Sequence, residues 1–273
     1  MSKVVSPYAS WEEAIDRKPH IALTGYYGAG KTAYSVSVTS HVDRIAFLSL
    51  DQDGFMSAMS NPDVNHWYEK HGARPLRPQE IYPIKGFDEF NATLNEVFLK
   101  PKEPPVDVLI IDGATDLGYM AAYANKCHEI GKHTKQGWMG VGAFWYQTLT
   151  KLADSDMIVV WIVHMRDESD KIGLQAETKE ERDAAKKKIH KTVIGPSILG
   201  TQGRELFSGK MSAYLTLERH GHGKNTQMVT WTDTKEAQFG KSRLDFGGHK
   251  VINKTLGDLL NQAGLLKNIK KGR

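Results

Sequence analysis

The chain has 273 residues, 40% hydrophobic and 25% charged, with a formal net charge of +4 and a pI near 8.9. That balance is ordinary for a soluble globular chain of one large domain or two small ones, and the longest apolar run, Met157–Val163, falls far short of the ~18 residues of a membrane helix. The single cysteine, Cys127, excludes an internal disulfide and, with no signal-type leader, points to a reducing, cytoplasmic setting.

Residues 1–19 read as a lead-in, with one short helix at Trp11–Asp16 capped by Ser10. A short buried strand follows at 20–24. It runs into Gly25-Tyr26-Tyr27-Gly28-Ala29-Gly30-Lys31-Thr32, which satisfies the phosphate-loop pattern G-x-x-x-x-G-K-[ST] without a mismatch. Ala33–His41, free of Gly and Pro, is expected to be helical. Ile45–Leu50 reads as a second strand. Residues 55–85 hold Pro62, Pro75, Pro78 and Pro83 and are expected as loops and short turns. The spacing of Phe87, Phe90, Leu94, Val97 and Phe98 predicts an amphipathic helix over 86–99.

Val106–Ile111 is a third, nearly all-apolar strand. A helix is predicted over 116–130, a mobile Gly- and Lys-bearing loop over 131–141, a further helix over 142–154 and a fourth strand at Met157–Val163. Continuous apolar strands separated by helices predict a parallel sheet covered on both faces, a three-layer α/β sandwich. The mixed-charge segment 166–192 is expected as a loop plus a surface helix. Ala213, Leu215 and Leu217 then alternate with polar residues, and Gln227–Thr232 reads as a partner strand, so a hairpin ends the sheet. Leu256, Leu259, Leu260 and Ala263 form one face of a C-terminal helix. The division expected is a lead-in at 1–19, a core at 20–250, and a C-terminal helix with a basic tail at 251–273.

The chemistry centres on the loop. Its glycines let backbone amides turn inward around a phosphate, Lys31 would reach the β- and γ-phosphates, and the Thr32 hydroxyl would bind Mg²⁺. Asp112, at the carboxyl end of the third strand, faces the crevice where open α/β sheets bind ligands and is the second Mg²⁺ candidate. Hydrolysis also needs a carboxylate to position water. Asp112 is followed by Gly113 and Ala114 rather than an acid, so Asp51 or Asp53, after strand two, are the candidates, with Asp116 a spare. His164, after strand four, is a candidate γ-phosphate sensor. No guanine-reading N-K-x-D motif is present, which leans toward ATP. The basic runs Lys186–Lys188 and Lys267–Arg273 suit either phosphate contact or a solvated surface.

The loop Gly25–Thr32, the strand-two end Leu50-Asp51-Gln52-Asp53-Gly54, the strand Val108–Asp112, His164, and Leu199…Gly203…Leu206 leading to Lys210 and Ala213–Glu218 occur together. Over roughly residues 20–250 this pattern resembles the RecA-like AAA-type P-loop ATPases common in bacteriophage genomes, some of which assist single-strand annealing or recombination. The resemblance implies a RecA-like fold, mostly parallel with a C-terminal antiparallel hairpin, and an ATPase using ATP and Mg²⁺. It implies that Asp53 is the catalytic carboxylate, where the family more often has Glu, and that His164 is the sensor, where recombinases more often have Gln. It matches Lys241 and Arg243 to the paired basic residues that a neighbouring subunit supplies. A ring or filament of identical chains follows, with single-stranded DNA and a phage recombination or replication protein as partners, no membrane, and a host-cytoplasmic location. Trp138 and Trp145 are candidates for base stacking. Two other readings share the loop: a P-loop kinase of a small molecule or nucleotide, and a non-hydrolysing ATP-dependent assembly protein.

Overall fold

Successive strand residues point into two different cores. Ala22, Ala46, Leu48, Leu109, Ile111, Val159 and Trp161 are buried in one cluster. Their strand neighbours Ile21, Leu23, Ile45, Phe47, Val108, Ile110, Ile158 and Val160 are buried in the other. Side chains alternate across a strand, so a strand apolar at every position must be covered on both faces. The computed structural model shows that arrangement; it describes residues 18–51, 55–56, 59–127, 135–167, 194–198, 201–221, 227–232, 243–246, 248–267 and 269.

The strands are β1 (His20–Gly25), β2 (Ile45–Ser49), β3 (Ile81–Pro83), β4 (Val108–Asp112), β5 (Ile158–Asp167), β6 (Ile194–Pro196), β7 (Ala213–His220), β8 (Gln227–Trp231) and β9 (Lys250–Ile252). The sheet order is β3-β2-β4-β5-β1-β7-β8-β9, with β6 on β5 off this path. The pairs from β3 to β7 are parallel. The pairs β7–β8, β8–β9 and β5–β6 are antiparallel. The fold is therefore α/β, a mostly parallel sheet flanked by helices and closed by antiparallel strands.

The helices are α1 (Lys31–Val36), α2 (Pro62–Lys70), α3 (Phe87–Thr93), α4 (Ala114–Ala124), α5 (Lys135–Ala153), α6 (Thr201–Lys210) and α7 (Leu256–Gln262). Residues of α3 to α6, such as Phe90, Leu117, Trp145 and Phe207, bury in the first core. Tyr34 of α1, Tyr68 of α2 and Leu256, Leu259 and Leu260 of α7 bury in the second. No helix among the described residues is long and apolar enough to cross a membrane.

Several elements depart from expectation. The segment expected as loops at 55–85 contains α2, started by Pro62 at its first turn and by Asn61, whose side chain accepts from the Asp63 amide at 2.9 Å. Its later part is held by a bidentate pair of Arg74 on the buried Glu80, at 2.8 and 2.6 Å. α5 begins at Lys135, so most of the loop expected at 131–141 is helix. The helix over 86–99 is α-helical only to Thr93 and widens into a π-type turn at Leu94–Leu99. The lead-in helix at 11–16 lies outside the described residues, as do residues 168–192 of the charged segment.

Strand order decides what meets at the site. β5 lies between β1 and β4, so Gly25 pairs with His164, Ile162 with Asp112, and Asp112 with Ser49. The carboxyl ends of β1, β5, β4 and β2 share one edge, and the phosphate-loop pattern leaves the sheet there.

Candidate functional site

The loop from β1 to α1 depends on two glycines. A Cβ on Gly25, at φ +154°, would come within 2.6 Å of the Leu217 carbonyl oxygen on β7. Gly30 caps α1 in the left-handed region, at φ 81° and ψ 24°. The Ala29 amide donates to the Tyr26 carbonyl at 3.2 Å and the Tyr34 amide to the Gly30 carbonyl at 2.8 Å, which sets the curl of Tyr26, Tyr27, Gly28 and Ala29.

Lys31 is 6% exposed, and its ammonium donates to the Gly25 and Tyr26 carbonyls, both at 3.0 Å. Burial lowers its pKa, against the pull of Asp112 and Asp51. Thr32 Oγ1 donates to Asp112 Oδ2 at 2.8 Å, so the two residues expected to bind Mg²⁺ touch. Asp112 is 4% exposed. Burial pushes its pKa up to about 7; the Thr32 bond and Lys31 oppose the rise, and Asp51 and Asp116 add to it.

His164 is half-buried on β5, which runs on past it to Asp167. Its amide donates to Thr115 Oγ1 at 3.2 Å, and its ring stacks with Tyr27, centroids 6.2 Å apart and planes 25° apart. Burial, then the Lys31 charge, lowers its pKa, so the imidazole is neutral near pH 7. Asp116, in the first turn of α4, is raised by burial and faces the fields of His164 and Asp51.

Asp51 is the strand-two carboxylate that the described residues bring here, since its charge acts on Lys31, Asp112, Asp116 and His164. Asp53 and Lys241 lie outside the described residues. Arg243 is described and is not brought to the loop. Its amide donates to the Ser212 carbonyl at 2.9 Å, and the Ser212 amide to His20 at 2.8 Å, which puts it at the opposite end of β1. At ~3.3 Å per strand residue that is roughly a strand length from the loop of the same chain. Trp145 is fully buried, so it is a core residue and not a stacking surface, while Trp138 packs half-buried on the same core. Thr115 and Tyr27, the partners of His164, carried no signal of these roles in the sequence; each follows from where β5 places His164.

The residues present fit a nucleoside triphosphate with Mg²⁺. Thr32 Oγ1 and Asp112 Oδ2 are adjacent hard oxygen donors, Asp112 is a desolvated carboxylate whose charge a cation would stabilise, and a buried Lys lies across the loop.

No curated protein matches the sequence at a significant level. Among solved structures, a KaiC-like protein from the hyperthermophilic archaeon Pyrococcus horikoshii OT3 is similar at 12% identity and TM-score 0.39, over 86% of this chain and 89% of that one. The flagellar accessory protein FlaH from Methanocaldococcus jannaschii is similar at 10% identity and TM-score 0.41, over 86% and 84%. Residues 17–244 match the AAA domain family AAA_24, most of the chain, and with the loop, Lys31, Thr32 and Asp112 assembled at one sheet edge, the protein belongs to that AAA domain family.

Proposed function

We propose that this protein is a RecA-like, phage-type ATPase that binds ATP with Mg²⁺ and hydrolyses it in DNA recombination, single-strand annealing or replication. The observation that carries the ATPase reading is the 2.8 Å bond from Thr32 to Asp112 beside the buried Lys31. Gly25–Thr32 would cradle the phosphates, and Lys31 would stabilise charge on the transferring phosphoryl group. Thr32 and Asp112 would hold Mg²⁺, which would neutralise charge developing on the transferring phosphoryl group. Asp53 positions the attacking water, with Asp51 shaping the field around it. His164, neutral and aimed from the strand beside β1, reports the γ-phosphate.

A homo-oligomeric ring or filament belongs to the same reading. Arg243 lies at the far end of β1 from its own loop, so a phosphate contact by Arg243 would be made on an adjacent copy; the role of Lys241 rests on the resemblance. The coupling to single-stranded DNA and to a phage recombination or replication partner, in the host cytoplasm, rests on the resemblance.

The test is ATP turnover with and without single-stranded DNA, in wild type, Lys31→Ala and Asp53→Ala. DNA-stimulated turnover lost in both variants supports the proposal. Binding of ATP without turnover overturns the hydrolytic part, and turnover indifferent to DNA overturns the recombination part.

A further inference from the structure

Lys31, Asp112 and His164 gather at the phosphate loop. Gly30, the residue before Lys31, and Ala33 and Tyr34 of α1 border a cavity with mostly apolar walls. One wall is a face of α2, where Val64 and Trp67 are three residues apart. The opposite wall is Met228 of β8. A Cβ added to Gly30 would lie 3.3 Å from the Met228 methyl, so the cavity and the loop share a boundary. Tyr34 is fully buried behind this wall, its hydroxyl accepting from Thr230 Oγ1 at 2.9 Å. Two cations, Lys70 and Arg219, also line it.

An indole and a thioether suit a flat aromatic guest, and a mostly apolar recess with a few polar groups is the usual form of a small-molecule site. A second cleft at the loop, lined by Tyr26, Tyr27 and Leu217–Gly221, has a larger polar share of surface than the first. The cavity adjoins the loop at Gly30 and α1 at Ala33, so a triphosphate held at Lys31 would have an apolar recess within reach of its nucleoside.

We propose that this cavity receives the base of the bound nucleotide, with Trp67 and Met228 as its walls. This rests on the phosphate-loop reading above and adds the residues that would separate a nucleotide from a bare polyphosphate.

The experiment compares binding of ATP and of inorganic tripolyphosphate, each with Mg²⁺, to the full chain by calorimetry and tryptophan emission. The variants are Trp67→Ala, Trp67→Phe and Val64→Trp, the last narrowing the cavity from the α2 side. Expected are a Kd for ATP raised about tenfold in Trp67→Ala and Val64→Trp, as loss of one stacking partner gives, and a Kd for tripolyphosphate changed less than twofold. ATP, but not tripolyphosphate, should quench emission, and Trp67→Phe should bind ATP without that quench. Trp67 packs near Tyr34, Tyr68 and His71, so Trp67→Phe and Val64→Trp keep the test open if Trp67→Ala misfolds. An unchanged ratio of ATP to tripolyphosphate affinity in Val64→Trp, together with a quench retained in Trp67→Phe, overturns the cavity assignment alone. Failure of wild type to bind either ligand overturns the phosphate-loop reading, and this proposal with it.

Discussion

The Thr32 hydroxyl donates to the Asp112 carboxylate across 2.8 Å, tying the first turn of α1 to the end of β4. The carboxylate is nearly dry, and burial raises its pKa to about 7 against the lowering effect of the Thr32 bond. Folding therefore favours its protonated form. The folded state holds a proton that the unfolded chain releases near pH 4, so stability falls as pH rises from about 4 to about 7 and is flat above. The full effect of a three-unit shift is on the order of 4 kcal/mol. Asp112→Asn should make the nucleotide-free protein more stable than wild type at pH 8, by roughly 2–4 kcal/mol, while costing at least about 100-fold in turnover. Urea unfolding at pH 5 and pH 8 checks this; a variant less stable than wild type at pH 8 contradicts it.

His20 has the opposite slope. It is 2% exposed at the start of β1, accepts from the Trp161 indole at 3.4 Å, and burial drives its pKa down to about 4. The fold holds it neutral, so its contribution is complete above about pH 6.5 and is lost as pH falls toward 4, on the order of 3 kcal/mol in all. Between pH 4 and 6.5 the His20 and Asp112 slopes oppose each other. His20→Gln should leave a stability that falls with rising pH, Asp112→Asn one that rises, and the double variant one that is nearly flat across this window. Melting curves on the four proteins decide it; parallel curves for the two single variants refute the assignment.

His164 combines a lowered pKa with a ring stacked on the exposed Tyr27. A neutral imidazole beside Gly25 can exchange hydrogen bonds with a terminal phosphate without adding charge. His164→Ala should lower kcat about tenfold to 100-fold and change nucleotide affinity by less than about threefold, the pattern of a group that acts after binding. His164→Gln should recover most of the loss. Equal losses in affinity and kcat in both variants would mean that His164 only holds the loop.

Much of this was legible in the sequence, because the strands that carry the site are apolar at every position and the loop's spacing is fixed by the chemistry of phosphate. Ile21–Leu23, Ile45–Leu48, Val108–Ile111 and Ile158–Val163 each read as a doubly covered strand and are buried throughout. The Thr32–Asp112 pairing followed from the ends of two such strands. What escaped was coded by residues with two local meanings. Pro62 lay among four prolines and read as a loop breaker, yet after Asn61 and before Asp63 it starts α2, which walls the cavity. Gly137 and Gly140 read as part of a loop over 131–141, yet a Cβ on Gly140 would lie 2.1 Å from the Asn125 side-chain oxygen, so glycine lets α5 pass the end of α4. Neither contact can be seen along the chain, since both depend on which helices meet.

The same logic separates two glycines of α6. Gly203 lies against the indole of Trp145: a Cβ there would be 2.8 Å from Cδ1 and 3.2 Å from Nε1. Trp145 cannot retreat, because it is fully buried with Phe144, Trp161 and Phe207 at centroid distances of 5.3, 6.0 and 5.6 Å. A Cβ added to Gly209 on the same helix would meet nothing within 4 Å. Alanine gains helix propensity at both positions, up to ~1 kcal/mol in a helix interior, and at Gly203 that gain competes with overpacking of about 1–3 kcal/mol. Gly203→Ala should therefore destabilise by roughly 1–2 kcal/mol, and Gly209→Ala should be neutral or stabilise by about 0.5 kcal/mol, being near the helix end. Urea unfolding of the two variants side by side measures the difference. If Gly203→Ala is as stable as Gly209→Ala, α6 can move away from Trp145, and the close packing of this core is not what holds α6 against α5.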